Sequence, residues 1–193
     1  MDPQTFERRA ATLEDKFFHE LDQKLCARLQ EQWNREQELK ALSEETGITE
    51  QSVLEKLLDI GIHPGMIRAI LLVPAVSVAW ANGFVEMRER TALLQAAEEA
   101  GISAESESAQ LLGLWLKTKP GPGLFAAWQH YVAALRHTVD SATYHKLQES
   151  ATALAERIAV TAGGILGLGA ISAAERRVIS QVADTFTQKP DED

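Results

Sequence analysis

The chain has 193 residues, of which 45 % are apolar and 24 % charged, with a formal net charge of −9. That length supports one domain with a real core, or one domain plus a small appendage. The negative charge, with no Lys/Arg cluster to offset it, argues against nucleic acid as a partner, because phosphates would be repelled.

The charge is uneven: 1–60 hold fourteen acidic and eight basic residues, and 61–193 hold fourteen and eleven. A single cysteine, Cys26, cannot form an intrachain disulfide and fits a reducing, cytoplasmic setting. The polar start Met1–Arg9 does not read as a secretory signal. The apolar run Ile67–Ala81 is too short to span a bilayer and carries Arg68 and Pro74.

In chain order, residues 10–40 read as one long helix, free of Gly and Pro and rich in Glu, Gln, Lys, Arg, Leu and Ala. Leu13, Phe17, Leu21, Leu25, Leu29 and Trp33 recur every four residues. Each step of four advances the stripe by about 40° on a helix of 3.6 residues per turn, so the stripe winds. Such a helix packs obliquely on its own domain or serves as an arm for a partner. Phe6, Arg9, Leu13, Glu14, Lys16, Phe17 and His19 form the pattern Phe-x-x-Arg-x-x-x-Leu-Glu-x-Lys-Phe-x-His. This resembles the start of the zeta inhibitor subunit of bacterial rotary ATP synthases. The resemblance covers roughly 1–60 and implies a segment that blocks ATP hydrolysis. It marks Phe6, Arg9, Leu13, Phe17 and Leu21 as a partner-binding arm.

Gly47 suits a helix end and Thr49 an N-cap, so a second helix is predicted over 50–59, with Val53, Leu54, Leu57 and Leu58 inward. Gly61 and His63-Pro64-Gly65 break the chain. Met66–Leu72 is predicted helical, and Pro74 kinks that helix or opens the next. Asn82-Gly83 makes a turn whose two residues tolerate positive φ. The following helix runs to Ala100 with Leu93, Leu94, Ala97 and Ala100 inward. Ser103 or Ser106 caps a helix ending near Lys119, with Leu111, Leu112, Trp115 and Leu116 as its apolar positions. Pro120–Gly123 is a loop. Leu124, Phe125, Trp128, Tyr131, Val132 and Leu135 fit a helix, and Asp140 or Ser141 caps another over 142–161. Gly163–Gly169 is read as a buried apolar turn. Ser172-x-x-Glu175 is a capping box opening a last helix to Phe186. No alternating run suggests a strand.

Two stretches repeat at an offset of 86: Gly83, Val85, Glu89 and Arg90 match Gly169, Ile171, Glu175 and Arg176. Both read as helix–turn–helix corners. The glycine makes the turn and the aliphatic residue anchors it. The Glu caps the new helix, and the Arg clamps a neighbour through an ion pair or a carbonyl. The spacing overlaps the second half of an EF-hand loop. The preceding ligand positions hold Val78, Trp80 and Asn82, and Gly164, Leu166 and Leu168, so five of six lack a side-chain oxygen. An EF-hand calcium site is excluded. A divalent metal could be held only by another set, such as Asn82, Glu86, Glu89 and Glu175.

Ala79-x-Ala81-Asn82-Gly83-x-Val85-x-x-x-Glu89-Arg90 resembles the Ala-x-Ala-Asp-Gly-x-(Ile/Val)-x-x-x-Glu-Arg corner of the TerB-like proteins, which include tellurite-resistance TerB and the N-terminal domain of DjlA co-chaperones. Gly163–Glu175 is similar to a second corner in some members. The resemblance covers about 64–187. It implies a compact helical bundle, and some members carry acidic metal-binding clusters. This chain has Asn82 where that family has Asp, which removes a charge from any such cluster.

Trp80, Trp115, Trp128 and Tyr131 sit at core spacing. His130, His137 and His145 lack the spacing of a zinc site, and His19, Asp22 and Cys26 share an acidic helix face unsuited to a thiolate. No phosphate loop, dinucleotide motif or serine elbow occurs. The expectation is an all-α bundle of about seven to nine helices: an N-terminal helical region over 1–63, a TerB-like bundle over 64–187 and a tail over 188–193. It is expected to be a non-enzymatic, cytoplasmic protein-interaction or stress-associated module with a protein partner or a second copy, without cofactor, nucleic acid or integral membrane segment. The alternatives are an ATP synthase regulator and a divalent-metal sensor.

Overall fold

A computed structural model describes residues 3–162 and 171–187, with side chains from 23 to 161 and from 171 to 187. All regular structure among them is helical, as expected: α1 (Pro3–Thr46), α2 (Gln51–Asp59), a 3-10 helix (Ile67–Leu72), α3 (Val73–Ala79), α4 (Met87–Glu99), α5 (Glu107–Lys117), α6 (Gly123–Thr138), α7 (Ser141–Ala162) and α8 (Ala173–Thr187). Residues 163–170, with the predicted Gly163–Gly169 turn, and the tail 188–193 lie outside the described residues.

The chain forms two compact units, 1–40 and 41–193. Of the expected N-terminal region 1–63, therefore, only 1–40 forms a unit of its own. Residues 41–63 belong to the bundle because they are apolar on their inner face. Leu42, Ile48, Val53, Leu54, Leu57, Leu58 and Ile62 are all buried, and α2 packs on α6. Gly47 ends α1 with φ of +73°, a backbone region nearly closed to other residues. The Thr46 hydroxyl then accepts the Ile48 N–H at 3.1 Å. Glu50, not Thr49, takes the N-cap of α2, because the extended stretch before it is used to bury Ile48.

The centre of the bundle is α3. Its sequence Val-Pro-Ala-Val-Ser-Val-Ala is apolar on every side, and only Ser77 is less than fully buried. A helix apolar all round must be surrounded. Here α4, α6, α7, α8 and the 3-10 helix all pack on it. Pro74 sits in its first turn, where its missing N–H costs nothing, so it opens α3 and does not kink it. The Ser77 hydroxyl donates to Val73 O at 2.8 Å, within the same helix. The segment before α3 is 3-10 rather than α.

An approximate two-fold relation organises the rest. The consecutive helices α3 and α4 pack on each other, as do α7 and α8, and α3 packs on α7. Exchanging α3 with α7 and α4 with α8 maps the α3–α8 packing onto the α7–α4 packing, and both occur. The internal repeat read in the sequence is thus a repeat of packing as well.

One expected face is corrected. On α4 the buried positions are Glu89, Leu93, Ala96 and Ala97, while Leu94 is 43 % exposed and Ala100 lies at the exposed C-cap. The spacing of four, seven and eight from Glu89 sets the inner stripe, and Leu94 falls one residue, or about 100°, away from it. On α5 and α6, Leu111 and Phe125 are half-buried at the edge of the core. The contrast is measurable by chemical denaturation. Ile158→Ala, at a fully buried position on α7, should cost about 2–5 kcal/mol. Leu94→Ala should cost under about 1 kcal/mol.

Candidate functional site at the joint of two corners

Each corner places a glutamate three residues after its helix N-cap. In the first, the Glu86 N–H donates to Glu89 Oε2 at 2.7 Å. In the second, the Ser172 N–H donates to Glu175 Oε2 at 2.6 Å, and the Glu175 N–H donates to Ser172 Oγ at 3.2 Å. The capping expectation holds at both positions. Gly83 makes the first turn with φ of +92°; Asn82, expected to share that role, does not have positive φ. Val85 and Ile171 are half-buried anchors. Gly169 lies outside the described residues.

The structure brings the two corners together, which the sequence could not reveal. The Asn82 side-chain N–H donates to Glu175 Oε1 at 3.0 Å, and Ser172 Oγ donates to Asn82 Oδ1 at 3.1 Å. The orientation of the amide follows from chemistry: a carboxylate only accepts, so the NH₂ must face Glu175. The arginines, in contrast, have diverged. Arg90 donates to Leu116 O at the end of α5, a carbonyl clamp as expected. Arg176 is exposed and makes no described side-chain bond.

Glu89 and Glu175 are both only 2 % exposed. Burial pushes the Glu89 carboxyl up to about 7. The Glu86 N–H opposes that shift, and the charges of Glu86 and Glu175 add to it. No described cation pairs with either carboxylate. Arg157, the nearest paired guanidinium on α7, binds Glu99 at 2.8 Å at the opposite end of α4, half exposed on both sides.

Of the candidate metal set Asn82, Glu86, Glu89 and Glu175, Asn82 meets Glu175 and the Glu86 N–H meets Glu89, so these contacts are hydrogen bonds between protein groups. Both oxygens of Glu175 and one of Glu89 already accept hydrogen bonds, and Asn82 turns a donor toward Glu175. Among the described residues no three His, Cys, Asp or Glu gather as metal ligands. Trp80 uses its indole N–H on Trp115 O at 2.8 Å, and Trp128 stacks with Phe125 and Phe186. These aromatics and Tyr131 serve the core. His130, His137 and His145 are exposed and separate in the fold. An open groove of about 620 Å³ runs between α4 and α7, lined by Leu71, Leu72, Ala96, Leu147 and Leu154, with the Glu99–Arg157 pair across it.

The N-terminal arm is helical through its pattern residues, but the side chains of Phe6, Arg9, Leu13, Phe17 and Leu21 lie outside the described ones. The rest of the stripe is exposed: Leu25, Leu29 and Trp33 show 53, 55 and 57 % of their surface. Among the described residues no helix is long and apolar enough to cross a membrane.

Stability should respond to the buried acid. The unfolded chain releases the Glu89 proton near its ordinary value of 4.5, and the folded chain holds it to about 7. The folded state therefore binds more protons between these values, and stability falls as pH rises through that window. Above pH 7 the charged form costs at most about 3 kcal/mol. Glu89→Gln should match the native chain at pH 5 and exceed its stability by about 1–2 kcal/mol at pH 8, read from urea denaturation. A variant weaker than the native chain at pH 8 would contradict a raised carboxyl. Comparison with protein-family models, with curated proteins and with solved structures gives no match to this chain.

Proposed function

We propose that the chain is a non-enzymatic interaction module that engages a protein partner through its N-terminal helix. The carrying observation is the row Leu25, Leu29 and Trp33, three large apolar side chains each more than half exposed on one long helix. Isolated exposed leucines are ordinary, but a row of them with a tryptophan is the type of surface that partners bury. The arm is nearly balanced in charge, with nine acidic and seven basic residues over 1–40, so neither sign of partner is strongly repelled. The bundle serves as the rigid body that carries the arm. The resemblance of 64–187 to TerB-like proteins supports a stress-associated setting.

The expected outcome is specific. Full-length protein immobilised in host lysate should retain a stoichiometric partner, or sediment as a homo-oligomer. The triple change Leu25→Ser, Leu29→Ser and Trp33→Ser should abolish that association by at least about tenfold, a loss of 1.4 kcal/mol or more. The melting of the bundle should stay unchanged. Equal retention by both forms would remove the arm from the account.

A second reading is regulation of a rotary ATP synthase. It rests on the Phe6–His19 pattern, which falls wholly within α1. Under that reading the full chain, added to host membranes, slows ATP hydrolysis, and unchanged hydrolysis eliminates it.

A further inference from the structure

We infer that the joint between the two corners is a cation-free latch, in which the Asn82 amide supplies Glu175 with a neutral donor where a carboxylate at that position would call for a cation. The inference rests on donor chemistry. A carboxylate at position 82, as in the corner that this stretch resembles, would face Glu175 acceptor to acceptor. A cation, a proton or a bridging water would have to come between them. The amide resolves it with neutral atoms. Its NH₂ donates to Glu175 Oε1 at 3.0 Å, and its Oδ1 accepts the Ser172 hydroxyl at 3.1 Å. That hydroxyl in turn accepts the Glu175 N–H at 3.2 Å, and the second Glu175 oxygen accepts the Ser172 N–H at 2.6 Å.

Each polar atom in this ring has a partner of the opposite kind, so the ring closes without an ion. The acids at this joint are Glu175 from α8 and Glu86 and Glu89 from the start of α4; of the arginines on the same two helices, Arg90 donates to Leu116 O, Arg177 donates to Ala173 O, and Arg88 and Arg176 are exposed. Helix α3 contributes no charged side chain, and on α7 Arg157 is committed to Glu99. The latch joins residues 93 positions apart, so it holds the second corner against the first. It follows that the attachment of α8 is indifferent to chelators and to divalent ions.

Thermal melting of the full chain tests this. The native protein should melt at the same temperature in EDTA and in excess calcium, magnesium, manganese or zinc. A site filled to a hundred times its dissociation constant would instead raise the midpoint by several degrees. Asn82→Ala should lower the midpoint by a few degrees and speed hydrogen exchange at the Ser172 and Glu175 amides, with the α2 and α6 amides unchanged. Asn82→Asp should be weaker than Asn82→Ala at pH 8 and should recover toward it at pH 5, where protonation relieves the facing carboxylates. A native midpoint that rises with any of these ions or falls in EDTA overturns the inference, and so does an Asn82→Ala chain that melts and exchanges like the native one. The native chelation comparison stands even if a variant fails to fold.

Discussion

The rest of the bundle follows from the complete burial of α3. Seven residues, Val73–Ala79, present apolar surface in every direction, and a helix of that kind is stable only inside a shell. Five elements supply the shell. The small side chains of Ala75, Val76, Val78 and Ala79 let those elements approach closely, so packing is dense and intolerant of added volume. Each buried valine contributes about 1.5–3 kcal/mol relative to exposure. The short helix is therefore held by its neighbours far more than by its own hydrogen bonds, of which it has too few to persist alone.

Surrounding a central helix leaves the problem of the chain ends. The first corner must turn after α3 and start α4, and the second must start α8. Both solve it with a glutamate at the third helical position, which satisfies the backbone amide of the N-cap. The same packing that requires this solution buries both carboxylates, and at Glu89 burial raises the cost of the charge. Glu89 therefore sits near the boundary between charged and neutral at physiological pH. The joint carries two opposing influences: hydrogen bonds that close it, and like charges that strain it as pH rises. The Asn82 amide lowers that strain by adding a donor without adding a charge.

Much of this was legible in the residues. The helical class, the loop at Pro120–Pro122, the Ser172–Glu175 box and the Arg90 carbonyl clamp follow from local rules, because caps, glycines and apolar spacing act over a few residues, whereas Gly123, read as loop, opens α6. The face of α4 was misjudged at Leu94, since helical phase depends on where a helix starts and one residue shifts it by about 100°. Residues 41–63 read as part of the N-terminal region because α1 runs without a break through the point where burial begins; Leu42, not a proline or glycine, marks it. The contact between Asn82 and Glu175 was invisible, as no local rule connects residues 93 apart. The constant offset of 86 was the available signal: it reads as a duplicated helix–turn–helix unit, and duplicated hairpins tend to pack on each other.

The central claim is that the two corners are energetically coupled through Asn82 and Glu175. A double-mutant cycle measures it most directly, comparing Asn82→Ala, Glu175→Gln and the pair by urea denaturation at pH 7. The expected coupling energy is about 0.5–1.5 kcal/mol, the range of a hydrogen bond to a carboxylate at the rim of a core. Additive effects within about 0.3 kcal/mol would show that the corners merely lie side by side.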